Sequence, residues 1–308
     1  MLTDIIFTID GSEAGQRIDR VLVRHFPTSI RAFCREAVAA EDVCLNGAPC
    51  LKSAKVRAGD TVTVRRLAEA RDNRVQPDAS QAVDIVFEGV AFVAANKPAR
   101  QPVHPLSWQE RGTLMNGLVA RFPEMAEVGD QPLMAGALHR IDTGTSGLVL
   151  AARTNAMFEF LRAQFTAQTI DKIYLALVEG YVTGPRTLTH KLAHHPSSRG
   201  KMMRACNRVT PERRMLAVTA YRPLQRLGRY TLLEVTIRTG VTHQIRCQLA
   251  LNKHPIVNDT LYGADTVRGC LRHFLHAYQA KILLPDSTPL TLTAPPTPDF
   301  SEFLERCR

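Results

Sequence analysis

The residues with the clearest chemical potential lie in one short loop. Residues 139–147 read H-R-I-D-T-G-T-S-G and contain a single acid, Asp142, two positions after Arg140. The glycines allow a tight turn, and the hydroxyl side chains can hydrogen-bond to the loop's own backbone. The apolar run at residues 148–152 has the length and composition of a buried strand. A carboxylate held at a sheet edge can act as a nucleophile or a general base, although a single Asp in such a loop commonly only caps a turn.

The whole string resembles the signature H-R-L-D-x-x-T-S-G-L of the RluA-type pseudouridine synthases, which modify uridines in structured RNA. Ile141 stands where the family usually has Leu, and this exchange conserves volume. The resemblance implies that Asp142 is the catalytic residue. It also implies that Arg140 enters the space left by the displaced base, and that His139 and Thr145 bind the substrate.

A second block, N-K-P-A-R-Q-P-V-H-P at residues 96–105, is similar to the family's N-K-P-x-G-x-x-V-H-P. Lys97 is counted with the substrate-binding residues, and we expect it mainly to order the loop. Arg100 stands where the family usually has Gly. If that position needs a positive φ, Arg either costs stability or forces the loop onto another path.

Three later blocks complete the site that the resemblance implies. K-I-Y-L-A resembles K-x-Y-x-A, in which Tyr174 faces the target base. T-G-V-T-H-Q-I-R resembles T-G-R-T-H-Q-I-R, in which Arg246 pairs with the catalytic Asp and Val241 replaces the first Arg. L-H-A begins with Leu275, which lines the base pocket in the family. In the block at residues 254–263 Asn258 replaces a Gly, and Asn is the non-Gly residue that best tolerates left-handed geometry.

The most basic segment of the chain lies at residues 199–214 and begins with R-G-K-M, as in the family. Arg199 and Lys201 are predicted to lie along RNA phosphates; the alternative is a solvated loop. His194 and His195 point opposite ways on a strand and have no third ligand nearby, so a metal site is not predicted.

Composition and charge favour an intracellular protein with a polyanionic partner. The 308 residues include 39 Lys and Arg against 29 Asp and Glu, a net charge of +10, which suits RNA because neutralised phosphates release counterions. No stretch has the length of a membrane span or the pattern of a secretory signal. The seven cysteines include no C-x-x-C pair, as expected of reduced thiols in a cytoplasm. No nucleotide-binding motif is present, so we expect no nucleotide cofactor. We also expect no other cofactor and no metal, and we expect the protein to be a monomer.

The pattern of elements predicts an α+β protein with two domains. Residues 1–66 contain two short helices, at 17–26 and 29–40, then an Asn46-Gly47 hairpin, and they resemble an S4-type RNA-binding domain. Residues 67–82 are polar and are predicted to form a linker. The resemblance implies that residues 83–308 form the catalytic domain, with a mixed, mainly antiparallel sheet of pseudouridine-synthase type. Ser29 and Asn155 are predicted to cap helices.

Two alternatives to a pseudouridine synthase stay open at this point. One is a catalytically weak RNA-binding protein that keeps the fold, which the departures at Arg100, Val241 and Asn258 would support. The other is a small-molecule hydrolase in which His139 serves Asp142 as a base. The chemical route of Asp142 also stays open: attack on the sugar anomeric carbon, addition to C6 of the ring, or removal of a sugar proton. The target uridine is not predicted.

Overall fold

The computed structural model describes residues 4–69, 72–195, 202–205 and 214–308. The chain divides into two compact units, Met1–Arg74 and Val75–Arg308. The division falls inside the polar segment predicted as a linker. Val75, within that segment, is buried and belongs to the core of the second unit. Arg199 and Lys201 lie outside the described residues.

The first unit packs two amphipathic helices and a small antiparallel sheet around one apolar core. Its elements in chain order are β1 (Ile5–Thr8), α1 (Ile18–His25), α2 (Arg31–Ala39), β2 (Val43–Leu45), β3 (Ala48–Pro49) and β4 (Thr61–Val64). The hairpin predicted between β2 and β3 is confirmed. Asn46 and Gly47 both have positive φ, 52° and 79°, as a two-residue hairpin turn requires.

The second unit is built on one large sheet. Its strands are β5 (Ile85–Glu88), β6 (Phe92–Lys97), β7 (Ser146–Ala152), β8 (Asp171–Glu179), β9 (Arg186–His194), β10 (Met203–Ala205), β11 (Met215–Leu227), β12 (Tyr230–Ile237), β13 (Leu275–Leu283) and β14 (Pro289–Thr293). Its helices are α3 (Leu114–Arg121), α4 (Asn155–Thr166), α5 (Gln244–Leu251) and α6 (Pro298–Arg306).

The strand order is β10-β9-β11-β12-β8-β13-β7-β6-β5, and β14 pairs with β13. β13 and β7 run parallel, whereas the other paired strands run antiparallel. The predicted α+β class with a mainly antiparallel sheet is therefore confirmed. β7 is buried along its whole length, which confirms the strand predicted from its apolar run.

Both predicted N-caps are wrong. The hydroxyl of Ser29 donates to the carbonyl oxygen of Ala68, and α2 begins one residue later behind Ile30. α4 is capped by Thr154, whose hydroxyl accepts from the amide of Met157. The Asn155 side chain instead accepts from the amide of Gly129. In both cases the side chain that was predicted to cap the helix is instead hydrogen-bonded to a residue distant in sequence.

Among the described helices none is long and apolar enough to cross a membrane. No group of three or more potential metal ligands comes together in the described parts of the chain.

Candidate active site

A cavity of about 560 Å³ opens beside the sheet of the second unit. Most of the residues singled out from the sequence line it: His139, Arg140, Asp142, Thr145, Tyr174, Arg246 and Leu275. They come from the loop before β7, from β8, from α5 and from the start of β13. Segments that lie far apart in the sequence thus meet at one place, because β8, β13 and β7 are neighbours in the sheet.

The loop that carries Asp142 is held by its connection to β7. Gly147 has φ 110°, and a Cβ there would collide with the carbonyl oxygen of Ala277. Only glycine lets β7 approach β13 so closely. Inside the loop, the amide of Thr145 donates to the carbonyl oxygen of Asp142 at 2.9 Å. The carboxylate is therefore presented from a rigid turn.

The N-K-P block holds the same loop from the other side. Arg100 adopts φ 70°, so the loop keeps a left-handed residue where the family usually has Gly. Its backbone amide donates to the carbonyl oxygen of Thr143 at 2.6 Å. Lys97 is fully buried, and its ammonium donates to the carbonyl oxygens of Pro98, Gln101 and Thr143. Lys97 lies behind the loop and not along the cavity wall, as expected of a residue that orders the loop.

Asp142 is one end of a row of three charged groups. The Arg246 guanidinium donates from Nη1 to Oδ2 of Asp142 at 2.8 Å. Its Nε and Nη2 donate to both carboxylate oxygens of Asp259 at 2.7 and 2.8 Å. Arg246 and Asp259 are buried, whereas the Asp142 side chain keeps 26% of its surface exposed. The bidentate pair fixes the guanidinium plane, so Arg246 reaches Asp142 in one orientation.

Asp142 is ionised near neutral pH. Burial alone would raise the pKa of its carboxyl. The charges of His243, protonated at acid pH, and of Arg246, together with the hydrogen bond from Arg246, outweigh burial and place the pKa below the ordinary value of 3.8. The site thus presents a charged carboxylate to the cavity.

Tyr174 remains a neutral phenol under the same conditions. It lies in β8 and is buried, with only 8% of its surface exposed. Burial, reinforced by the negative charge of Asp142, holds the pKa of its hydroxyl above the ordinary value. A flat ring beside the carboxylate can stack on a base, and its hydroxyl keeps a proton to donate.

His139 is a neutral hydrogen-bond acceptor. Its Nε2 accepts from the amide of Leu150 at 3.1 Å, and its ring stacks on Phe165. Burial, with help from the charge of Lys172, lowers the pKa of His139 to about 3. Arg140, by contrast, is exposed at the cavity.

Thr145 and Leu275 form buried parts of the cavity wall. The Thr145 hydroxyl is hydrogen-bonded to Nε2 of His273 at 2.8 Å. The backbone carbonyl oxygen of Leu275 accepts from the Arg272 guanidinium, which is itself paired with Asp299.

Four polar residues near the site received no role from the sequence: Asp259, His243, Tyr262 and His273. Asp259 and Tyr262 lie in the block at residues 254–263, and His243 lies in the block T-G-V-T-H-Q-I-R. His273 lies two residues before the L-H-A block, and none of the sequence motifs includes it. Its contact with Thr145 spans 128 positions of sequence, which no motif spacing indicates.

Comparison with known proteins agrees with this arrangement. The family model described as RNA pseudouridylate synthase matches residues 91–251. A protein of Xylella fastidiosa named ribosomal large subunit pseudouridine synthase D is 32% identical, over 98% of this chain and 92% of its own length. The proteins of the same name from Xanthomonas campestris pv. campestris and Escherichia coli K12 are 33% and 31% identical, over 97% and 98% of this chain and 91% and 93% of theirs.

Two solved human structures share the fold. RNA Pseudouridylate Synthase Domain Containing 1 superposes with a TM-score of 0.59 at 24% identity, covering 73% of this chain and 89% of that one. RNA Pseudouridylate Synthase Domain Containing 4 gives 0.58 at 23% identity, covering 73% and 93%. The resemblance that the motifs indicated is confirmed over nearly the whole chain, and this protein belongs to the RluA-type family of RNA pseudouridine synthases.

Proposed function

We propose that this protein isomerises specific uridines of large-subunit ribosomal RNA to pseudouridine, with Asp142 as the catalytic carboxylate. The proposal rests on the charge states of Asp142 and Tyr174, which both line the cavity. Asp142 faces it ionised, bonded to the buried Arg246, while Tyr174 lines the same cavity as a neutral phenol. The names of the bacterial relatives support ribosomal RNA as the substrate.

The proposed reaction breaks the N-glycosidic bond, turns the uracil and joins the sugar to C5 of the ring. A base inside a stack is out of reach, so the uridine must first leave its helix. Arg140, exposed at the cavity, is suited to fill the space that the base vacates. The ionised Asp142 is compatible with attack on the anomeric carbon, addition to C6 or removal of a sugar proton. Tyr174 stacks on the uracil beside C5, which loses its proton as it joins the sugar while N1 gains one. Substrate and product are isomers, so the reaction calls for no oxidant, reductant or group donor.

The charge of the cavity wall supports a polyanionic substrate. Among the described residues that line it, Asp142 is the only acid, whereas five arginines and lysines contribute: Arg140, Arg162, Lys172, Arg238 and Arg246. Lys172 also donates to the carbonyl oxygen of Thr239. Such a wall attracts the phosphates on either side of a displaced nucleotide.

The first unit is proposed to bind RNA as an S4-like domain. Its helices carry Arg20, Arg24 and Arg35 on exposed positions, where a phosphate backbone can reach them. We propose the same phosphate-binding role for Arg199 and Lys201 in the basic segment of the second unit. A structured RNA would then be held at sites beyond the modified nucleotide.

The two alternatives are less well supported by the geometry. A hydrolase would need a free base beside Asp142, but Nε2 of His139 is occupied by the amide of Leu150. A weakened synthase would follow from loops disturbed by Arg100 and Asn258. Both residues nevertheless adopt left-handed backbone, with φ of 70° and 63°, so these two loops keep the conformation that Gly allows.

We propose that the protein works in the cytoplasm as a monomer. Asp142, Tyr174 and Arg246 all come from one chain and line one cavity, so a second copy is not required to complete the site.

The test compares the pseudouridine content of large-subunit ribosomal RNA from cells with and without the gene. The expected result is the loss of pseudouridine at one or a few defined uridines, restored by the wild-type gene on a plasmid. An unchanged pseudouridine map of ribosomal RNA would contradict the proposed substrate. Loss of pseudouridine from transfer RNA alone would instead identify transfer RNA as the substrate.

A further inference from the structure

His243 lies against the same carboxylate as Arg246. It immediately precedes α5 in a left-handed conformation, with φ 51°, and its ring lines the cavity. Its Nε2 is 3.7 Å from Oδ2 of Asp142, and its side chain is 17% exposed. Hydrogen bonds of catalytic groups are often long before substrate binds and shorten in the complex. The chemistry of this contact depends on which ring nitrogen holds the proton.

The other ring nitrogen, Nδ1, lies against the hydroxyl of Tyr262. The backbone amide of Met203 donates to the Tyr262 hydroxyl oxygen at 2.9 Å. The same oxygen is 3.0 Å from Nδ1 of His243. Since the Met203 amide can only donate, the single hydroxyl proton of Tyr262 is free to be donated to Nδ1. Burial raises the pKa of Tyr262, so this proton stays in place over the working range of pH.

A neutral His243 that accepts at Nδ1 must carry its proton on Nε2. Burial is the largest influence on its pKa and lowers it, as do the positive charges of Arg246 and Arg140. The carboxylates of Asp142 and Asp259 act in the opposite sense without reversing the shift. Near neutral pH the ring is therefore uncharged, and the nitrogen that then holds the proton is the one 3.7 Å from Oδ2 of Asp142.

We infer that His243 is a positioning residue for Asp142 and that Tyr262 positions His243 by fixing its tautomer. The inference rests on the proposed role of Asp142. The contacts of Arg246 and His243 both fall on Oδ2. The hydrogen bond from Arg246 and the second donor that faces the same oxygen at 3.7 Å restrict rotation of the carboxylate. They leave Oδ1 as the oxygen available to the substrate. A neutral donor achieves this without adding a second full charge that would weaken the carboxylate as a nucleophile.

The first test needs no RNA. Nitrogen NMR of the histidine side chains, with the His243 signal assigned from its loss in His243→Gln, reports tautomer and charge directly. We expect His243 of the full chain to be neutral with the proton on Nε2. Tyr262→Phe keeps the ring but removes the hydroxyl, so the signal should move toward a mixture of tautomers. Tyr221→Phe is the matched control, because this buried tyrosine accepts from Asn252 outside the cavity.

The second test measures single-turnover pseudouridine formation. We expect the 3.7 Å contact between Nε2 of His243 and Oδ2 of Asp142 to shorten to a hydrogen bond in the RNA complex. Loss of a hydrogen bond to a charged group predicts that His243→Leu slows the reaction about 10- to 100-fold. RNA affinity should stay near wild type. His243→Gln should recover part of the rate because its amide can donate, whereas His254→Gln, at a histidine that contacts the Glu179 carbonyl oxygen, should have no effect.

A proton on Nδ1, a charged ring at neutral pH, or a tautomer that Tyr262→Phe leaves unchanged would overturn the inference. So would a normal rate in a folded His243→Leu variant. A wild-type protein that makes no pseudouridine while His243 keeps its proton on Nε2 would instead contradict the proposed function and leave the tautomer assignment standing.

Discussion

Asp19 in the first unit and Asp142 in the second are both paired with arginine, and the burial of acid and arginine is reversed between the two pairs. In the first unit the Asp19 side chain is fully buried and accepts from Arg17 and Arg31, whose side chains are 39% and 50% exposed. In the second unit the arginine is buried, with 8% exposure, and Asp142 keeps 26%. Asp19 therefore holds two cations at a surface, whereas Arg246 holds a carboxylate at a cavity.

The reversal distinguishes an acid suited to a structural role from the acid that we propose takes part in the chemistry. A buried acid with two exposed cations has no face to offer a small ligand, and its charge serves the orientation of the arginines. An acid whose partner is buried keeps a free oxygen and stays ionised. The same pair of residue types thus serves two purposes, and the difference lies in which partner reaches solvent. Replacing the aspartate should therefore abolish activity in the pair with Arg246 and lower stability in the pair with Arg17 and Arg31.

Arg246→Ala should have the largest effect, because it acts on both stability and rate. Asp259 would lose its bidentate partner inside the protein, which lowers the free energy of unfolding by about 3 to 5 kcal/mol. The rate of pseudouridine formation should fall about 10²- to 10³-fold, as for the loss of a charge-stabilising donor. Denaturant unfolding and single-turnover assays measure the two effects.

Arg222→Ala is the matched control, since Arg222 pairs with Glu234 at the surface. It should change the free energy of unfolding by about 0 to 1 kcal/mol. Arg246→Lys covers the case in which the alanine variant fails to fold. It keeps the charge but cannot contact both carboxylates in a bidentate geometry, so a wild-type rate in this variant would contradict the proposed role of the guanidinium.

Asp19→Asn should reduce stability and leave the chemistry intact. Loss of hydrogen bonds between charged groups predicts a decrease in the free energy of unfolding of about 1.5 to 3 kcal/mol at neutral pH. Burial raises the pKa of Asp19, but the hydrogen bonds and charges of Arg17 and Arg31 lower it further, to below 3.8.

A depressed pKa in the folded state stabilises the protein above the carboxyl pKa of the unfolded chain, and this stabilisation is lost as the pH falls through the folded pKa. The difference between wild type and Asp19→Asn should therefore shrink below about pH 4. A difference that stays constant down to pH 2 would show that the charge of Asp19 contributes no stability.

The smallest effect on chemistry is expected from the exposed arginines of the first unit. Arg20→Gln, Arg24→Gln and Arg35→Gln combined should weaken RNA binding and flatten its dependence on salt. The slope of log affinity against log salt should fall by about 0.9 for each duplex phosphate that these side chains no longer neutralise. Modification of a short RNA should change less than that of a large folded RNA. An unchanged slope would mean that these side chains are only solvated.

Local features of this fold follow well from the sequence. The Asn46-Gly47 hairpin and the buried strand β7 depend on residues close together in the chain. Arg100 is instructive, because the family pattern with Gly at this position indicates a left-handed backbone, and the structure has one there despite the larger residue.

Contacts between distant residues do not follow from local patterns. The N-cap at Ser29 was wrong because its hydroxyl donates to Ala68, which lies 39 positions further along the chain. The roles of Asp259 and Tyr262 depend on the packing of α5 against the turn that contains them. Residue type and spacing thus indicate which acid is the candidate for catalysis, but the partners that orient it are seen only in the folded chain.

The measurement that tests the central claim most directly is the single-turnover yield of pseudouridine from purified Asp142→Asn beside purified Asp19→Asn. Asn keeps the size of the side chain and removes the charge that attack and proton transfer require. We predict no detectable pseudouridine from Asp142→Asn, with RNA affinity and folding near wild type, and a normal yield from folded Asp19→Asn. A wild-type yield from Asp142→Asn would contradict the assignment and reduce Asp142 to the cap of a turn.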